Sequence, residues 1–226
     1  MENFKNIVIK KYSPAVGNTS LLVMVFFTIF IIPLFPIITH KLLYNLSYTA
    51  IFFMAIFSVE TKRRFIFWIA ITATIAIWMA AYLDLIYLLE VSYAASVIFF
   101  SIVVGKLIFE IVRSKVVNMR VIVEAINCYL MIGFIFCLLV TFLIMENPGS
   151  YNFPGIDITY VEDVSHVSKY LYYTFVTFTT LGYGDIVPLT PAARSLAILI
   201  SITGQIYIAI IIALLVGKFA STQQQN

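Results

Sequence analysis

The chain has 226 residues, of which 62% are hydrophobic and 11% charged, and its 14 Lys and Arg against 11 Asp and Glu leave a formal charge of +3. A mean hydropathy of +1.01 excludes an ordinary soluble fold, whose surface needs far more charge. The small positive excess sits in short loops, which suits an anionic lipid surface and gives no support to nucleic-acid binding.

Taken in chain order, apolar stretches long enough to cross a hydrocarbon core as helices recur at residues 20–39, 42–59, 65–88, 91–112, 121–145 and 190–218. The pattern predicts an all-α membrane protein with six transmembrane helices. A further helical segment at 167–180 is too short to span and too apolar for a solvated loop. It is expected to be re-entrant, which is tolerated only where protein surrounds it or where it borders a water-filled cavity. The loop at 146–168 carries Pro148, Gly149, Asn152, Pro154 and Gly155 and reads as an irregular outer turret without strand or helix.

Basic residues set the orientation. Lys5, Lys10 and Lys11 precede the first span, Lys62, Arg63 and Arg64 follow the second, and Arg113, Lys115 and Arg120 follow the fourth. The opposite loops carry Lys41, Lys169 and Arg194 against Glu90, Glu146, Asp157, Glu162, Asp163 and Asp185. Both termini are therefore expected in the cytoplasm of a cell whose plasma membrane holds the protein. The first apolar stretch is of spanning length and lacks a cleavage site of small residues, so it is expected to be retained.

The basic linker divides the chain into an N-terminal membrane domain at 1–118 and a second domain at 119–226. The fourth stretch contains no arginine, and its basic residue, Lys106, has Glu110 one turn later. A voltage sensor needs several gating charges per subunit. The four-helix domain thus has the span count of a sensor without the charges. The tail after Lys218 is too short to fold alone, and no enzyme is expected, because His40 and His166 have neither metal-ligand spacing nor a nucleophile nearby. Cys128 and Cys137 lie about 13 Å apart along one expected helix and cannot bridge each other.

The residues that carry chemistry are Thr179, Thr180, Leu181, Gly182, Tyr183, Gly184 and Asp185, between the short helix and the last span. Alternate glycines permit positive φ, so that successive carbonyls can turn toward one axis and replace the hydration shell of a cation. Thr180 can add a hydroxyl at the inner end. The short helix, ending near Thr180, is expected to aim unsatisfied carbonyls at the cavity. Glu162, Asp163 and Asp185 could concentrate cations at the outer mouth.

Thr180 to Asp185 resembles the filter signature of the potassium channel superfamily, Thr-Val-Gly-Tyr-Gly-Asp, with leucine at the second place. The likeness extends over about the last hundred residues, upstream through Leu171, Tyr172 and Tyr173 and downstream through Pro188, Arg194, Gly204, Gln205, Ile206 and Tyr207. It implies six-span subunits with one pore loop, assembled as a homotetramer whose partners are its own copies and membrane lipids. It implies potassium as the permeant ligand, held by the carbonyls of Thr180, Leu181, Gly182 and Tyr183, with Gly184 completing the filter, and no cofactor. Tyr183 would pack into an aromatic cuff, with Tyr172, Tyr173, Val176, Thr179 and Asp185 as filter support. Some bacterial relatives place a glutamate at the position of Val176 that pairs with the filter-end aspartate, a pair this chain cannot make. Gly204 matches the family's gating glycine, where a hinge and close helix packing are both open readings. Gln205 is either cavity-facing or an interhelical hydrogen-bond partner. The resemblance points to a potassium-selective channel that is not strongly voltage-gated. A non-selective cation channel, a potassium-transporter subunit and a non-conducting regulatory subunit remain the other readings, although a transporter would usually repeat the motif.

Overall fold

The computed structural model describes residues 14–58, 71–72, 74–75, 78–79, 86–114, 116–153 and 166–223. Most of the expected third span at 65–88 falls outside the described residues, and Glu162 and Asp163 do so too. Within them the protein is helical: α1 (Pro14–Phe26), α2 (Ile37–Ser58), α3 (Ile86–Arg113), α4 (Met119–Glu146), α5 (Val167–Phe178) and α6 (Pro191–Gln223). Four stretches among the described residues, Val16–Leu34, Val91–Arg113, Met119–Glu146 and Pro191–Ala220, are long and apolar enough to cross a membrane. The chain is an all-α membrane protein.

The first two helices meet earlier than hydropathy suggests. A single apolar stretch across 20–39 was the expectation, but α1 passes into a π-helical turn over Phe27–Ile31 and a 3-10 turn over Ile32–Leu34 before the chain reverses. Pro33 has no N–H to return to the preceding turn, and Phe35, preceding Pro36, is extended with ψ 160°. Hydropathy cannot see this break because every residue around it is apolar. His40 consequently lies inside α2, 2% exposed, with Nε2 2.9 Å from the Phe35 carbonyl and its ring edge-on to Tyr44.

Helix α4 is the hub, packing against α1, α3, α5 and α6. Its large residues mesh with aromatics from two other helices: Phe52 of α2 lies 4.6 Å and 4.8 Å from Phe99 and Phe100 of α3, ring centre to ring centre. Phe134 of α4 closes the cluster against Phe100 and Tyr48. Such rings give large areas of dispersion contact in a membrane interior, where burial from water is not available as a driving force. Cys128 and Cys137 are free and buried in the same helix.

Toward the basic-loop end the packing turns polar. The Glu124 carboxylate, 1% exposed, accepts from Arg120 Nε at 2.7 Å and from Asn18 Nδ2 of α1 at 2.7 Å. Arg120 also reaches Glu110 of α3 at 3.1 Å, and Asn127 Nδ2 donates to the Asn18 carbonyl at 2.8 Å. A cavity of about 280 Å³ opens beside Glu110, Arg113, Arg120 and Glu124. Nearby, the Lys218 ammonium of α6 donates to the Ile111 carbonyl at 2.6 Å and to that of Val112 at 2.9 Å. A cation thus sits at the negative end of α3, where the last carbonyls lack helical partners.

The turret is not wholly irregular, as the turn residues had suggested. A 3-10 turn at Pro148–Ser150 leads into a strand at Tyr151–Asn152, which pairs antiparallel with Val187–Pro188. Two residues of pairing suffice to fasten the turret to the segment after the motif, a long-range match that turn propensities do not encode.

Replacing Arg120 with Met leaves a buried carboxylate with its cationic partner removed. The expected cost is about 3 kcal/mol of stability, seen as a lowered thermal midpoint of the detergent-solubilised protein, whereas Arg113→Met at the exposed end of α3 is expected to leave the midpoint nearly unchanged.

Candidate functional site: the short helix and the glycine-bearing segment after it

Helix α5 is 12 residues long, about 18 Å at the usual rise and too short to cross a bilayer. It is wedged between α4 and α6. Two glycines make this close approach possible. A Cβ on Gly133 of α4 would lie 2.6 Å from the Phe175 ring carbons, and a Cβ on Gly204 of α6 would run into the Phe178 carbonyl oxygen. Phe178 is fully buried and packs on Tyr129 and Phe136. Packing alone therefore explains a glycine at position 204, without a hinge.

The end of α5 organises the strand that follows. The Val176 carbonyl accepts from the N–H of Leu181 at 3.0 Å and of Gly182 at 3.2 Å, while the Thr177 carbonyl accepts from the N–H of Thr180 at 3.0 Å. Thr179 adds its N–H and its hydroxyl to the Phe175 carbonyl. The last turn of the helix was expected to aim unsatisfied carbonyls at the cavity. Instead those of Phe175, Val176 and Thr177 are occupied by the strand's own donors. In a trans peptide the C=O points opposite to the N–H. The amides of Leu181 and Gly182 face α5, so the carbonyls of Thr180 and Leu181 face away from it, in one direction.

Positive φ values alternate along the strand, at Thr180 (61°), Gly182 (55°) and Gly184 (79°). The glycines take this conformation freely. Thr180 does not: a β-branched residue in this region is a steric outlier, held there by its surroundings. Its hydroxyl donates to the Thr179 carbonyl at 2.6 Å and accepts from Gln205 Nε2 of α6 at 3.0 Å. One turn earlier, the Ser201 hydroxyl donates to the Thr177 carbonyl at 3.2 Å. Sequence reasoning did not single out Ser201, although positions 201, 204 and 205 share one helical face and signal a common neighbour.

The residues named as filter support are distributed unevenly. The Tyr172 hydroxyl hydrogen-bonds Asp185, and that bond, followed by desolvation and the charge of Asp185, raises the Tyr172 pKa above its ordinary value. The phenol therefore keeps its proton and its donor role at neutral pH, and the bond is lost only as pH climbs past the ordinary tyrosine range near 10. Tyr173 turns the other way, buried with its ring 5.0 Å from Tyr151 and edge-on to it. Val176 contributes through its carbonyl. Tyr183 stands exposed. Beyond the strand, the Thr190 hydroxyl accepts from the Ala193 N–H at 3.3 Å, starting α6, and Arg194 Nε donates to the Pro188 carbonyl at 3.4 Å.

The two α6 glycines separate contact from propensity. Gly204→Ala is expected to lower the thermal midpoint of the solubilised protein, because the new methyl must push the Phe178 backbone aside. Gly217 has nothing within 4 Å of an added Cβ, so Gly217→Ala is expected to be neutral or to stabilise by up to about 1 kcal/mol, measured in the same thermal scan.

A family model described as "Ion channel" matches residues 129–221, which hold most of α4, all of α5, the filter strand and nearly all of α6. Among curated proteins, the chain is 38% identical over 73 residues to the A-type voltage-gated potassium channel KCND3 of Rattus norvegicus, Oryctolagus cuniculus and Homo sapiens. Each alignment covers 30% of this chain and 11% of the relative, so the chain spans about a tenth of the length of these relatives. No solved structure matches. Residues 129–221 are thus similar to an ion-channel domain, and within the chain a 73-residue stretch is similar to a potassium channel.

Proposed function

We propose that the protein is a subunit of a potassium-selective channel, in which four copies set their filter strands around one axis and conduct potassium passively across the plasma membrane. The observation that carries this reading is the alternation of positive φ at Thr180, Gly182 and Gly184, combined with the amides of Leu181 and Gly182 turned toward the Val176 carbonyl. A strand built this way has carbonyls to spare on the face opposite α5. Four such strands form rings of oxygen that substitute for potassium's hydration shell. The similarity to a potassium channel over 73 residues supports the same ion. In this reading Thr180, Leu181, Gly182 and Tyr183 supply carbonyl ligands, the Thr180 hydroxyl lines the inner end, and Gly184 with Asp185 forms the outer end.

Each subunit contributes six spans, with both termini in the cytoplasm. The channel is not strongly voltage-gated, unlike the voltage-gated relatives it resembles, because α3 carries Lys106 and Arg113 as its basic residues and Arg113 falls in the last turn. Moving one elementary charge through the full field is worth about 2.3 kcal/mol per 100 mV, and steep gating needs several such charges per subunit.

Purified protein in potassium-loaded vesicles tests the reading directly: potassium-driven flux that excludes sodium is expected. Equal sodium flux would indicate a non-selective pore, and silence would indicate a subunit that needs others. Gly182→Ala is expected to abolish selective flux while leaving the protein in the membrane, since an alanine at φ 55° costs about 1–2 kcal/mol per subunit and draws the backbone out of the conformation that aims its carbonyls. Tyr172→Phe is expected to shorten channel openings, by removing the hydroxyl that ties α5 to Asp185. Open probability in a planar bilayer is expected to rise only shallowly with voltage, and a steep rise abolished by Lys106→Gln would assign the sensor to α3.

A further inference from the structure

The amide of Gln205 is the polar group that α6 presents to the inner end of the filter. Its Nε2 lies 3.0 Å from Thr180 Oγ1, and its backbone is fixed by the neighbouring Gly204, which packs on the Phe178 carbonyl. The Ser201 hydroxyl secures the same stretch of α6 to the Thr177 carbonyl. Gln205 is thus held at a set distance from Thr180 by contacts at two positions of the turn that precedes it in the helix.

The hydrogen-bond arithmetic at Thr180 is restrictive. A threonine hydroxyl has one proton and two lone pairs. Here the proton goes to the Thr179 carbonyl at 2.6 Å, and one lone pair is taken by the Gln205 amide. A single lone pair is left for anything entering from the cavity. An oxygen that already accepts from an N–H is a poorer donor to a cation than a free one, because both interactions draw on the same electron density.

We propose that Gln205 is a positioning residue for the innermost ion site: its amide occupies one lone pair of the Thr180 hydroxyl, fixes that side chain's orientation, and so weakens cation coordination where the filter opens into the cavity. This inference rests on the potassium-channel reading above. Conduction needs an ion to leave the last site as readily as it enters, and a ligand held below full strength at the exit lets it do so. The amide is neutral, so the effect is a matter of oxygen strength at one ring and not of cavity charge.

Barium, a divalent ion of nearly potassium's size, reports the strength of that ring when added from the cavity side. The experiment compares barium block of potassium current in the reconstituted full-length chain for the wild type, Gln205→Met, Thr180→Val and the double variant. Methionine keeps the length of glutamine without its N–H, and valine keeps the branching of threonine without its hydroxyl. Gln205→Met is expected to tighten block by at least about threefold, the scale of one neutral hydrogen bond. In the Thr180→Val background the same change is expected to leave block within about twofold, because the hydroxyl through which it acts is gone.

An unchanged or weakened block in Gln205→Met, or an equal shift in both backgrounds, would overturn the proposal, the latter showing that Gln205 acts on the helix and not on the hydroxyl. Should a variant fail to conduct, barium binding to the purified protein by calorimetry is read for the same order of affinities. A wild type without preference for potassium over sodium would overturn the functional reading and this inference together. A selective wild type whose block ignores Gln205 would overturn this inference alone.

Discussion

An extended backbone inside a membrane must find partners for its amides, because the hydrocarbon offers none. Here they are found at the end of the pore helix: the Val176 carbonyl takes two of them and the Thr177 carbonyl a third. Much of the pore region follows from this arrangement. The helix must stop at Phe178 so that its final carbonyls are free to be used, it must lie close enough to α4 and α6 not to tilt, and the residues facing it at Gly133 and Gly204 must be small. Turning the N–H groups inward to the helix is also what turns the carbonyls outward. Structural satisfaction and ligand presentation are two sides of the same peptide planes.

The N-terminal helices and the pore module are joined by charge as well as by packing. The composition places a boundary between residues 118 and 119, yet Arg120 and Glu124 on one side bond to Asn18 and Glu110 on the other. Ionised groups at this depth are expensive unless fully paired. A web shared by α1, α3 and α4 satisfies them only when all three helices are in register. Lys218 extends the connection to α6, through the last carbonyls of α3.

The parts legible in the sequence were those governed by local chemistry. Gly182 and Gly184 announced positive φ because glycine is the residue that allows it, and a start for the pore helix at Val167 followed from its apolar run. The parts that stayed hidden depend on neighbours distant in the chain. Thr180 takes positive φ although its side chain argues against it, since contacts with Thr177, Thr179 and Gln205 hold it there. The turn at Phe35 and Pro36 was masked by uniform hydrophobicity. The pairing of Tyr151 with Pro188 joins segments on opposite sides of the pore helix, and no local propensity foretells it. Tyr172 and Tyr173 are adjacent and chemically identical, yet a helix sends successive side chains about 100° apart, so one reaches Asp185 and the other Tyr151.

The anchoring of α6 has a mechanical consequence. At its outer end Thr190 and Arg194 tie it down. In its middle Ser201 and Gln205 bond to the pore-helix end and filter, and the Tyr207 hydroxyl bonds to the Ala125 carbonyl at 2.6 Å. At its inner end Lys218 is fixed to α3. The helix is a beam tied at intervals, and between Tyr207 and Lys218 its hold is apolar, with Ile211, Leu214 and Leu215 packed against the core over about 15 Å of helix. Apolar packing lets a helix slide and bend more readily than a directional hydrogen bond does. In the proposed channel, curvature there would change the width of the inner mouth while the hydrogen bonds at Ser201 and Gln205 keep the filter end in place.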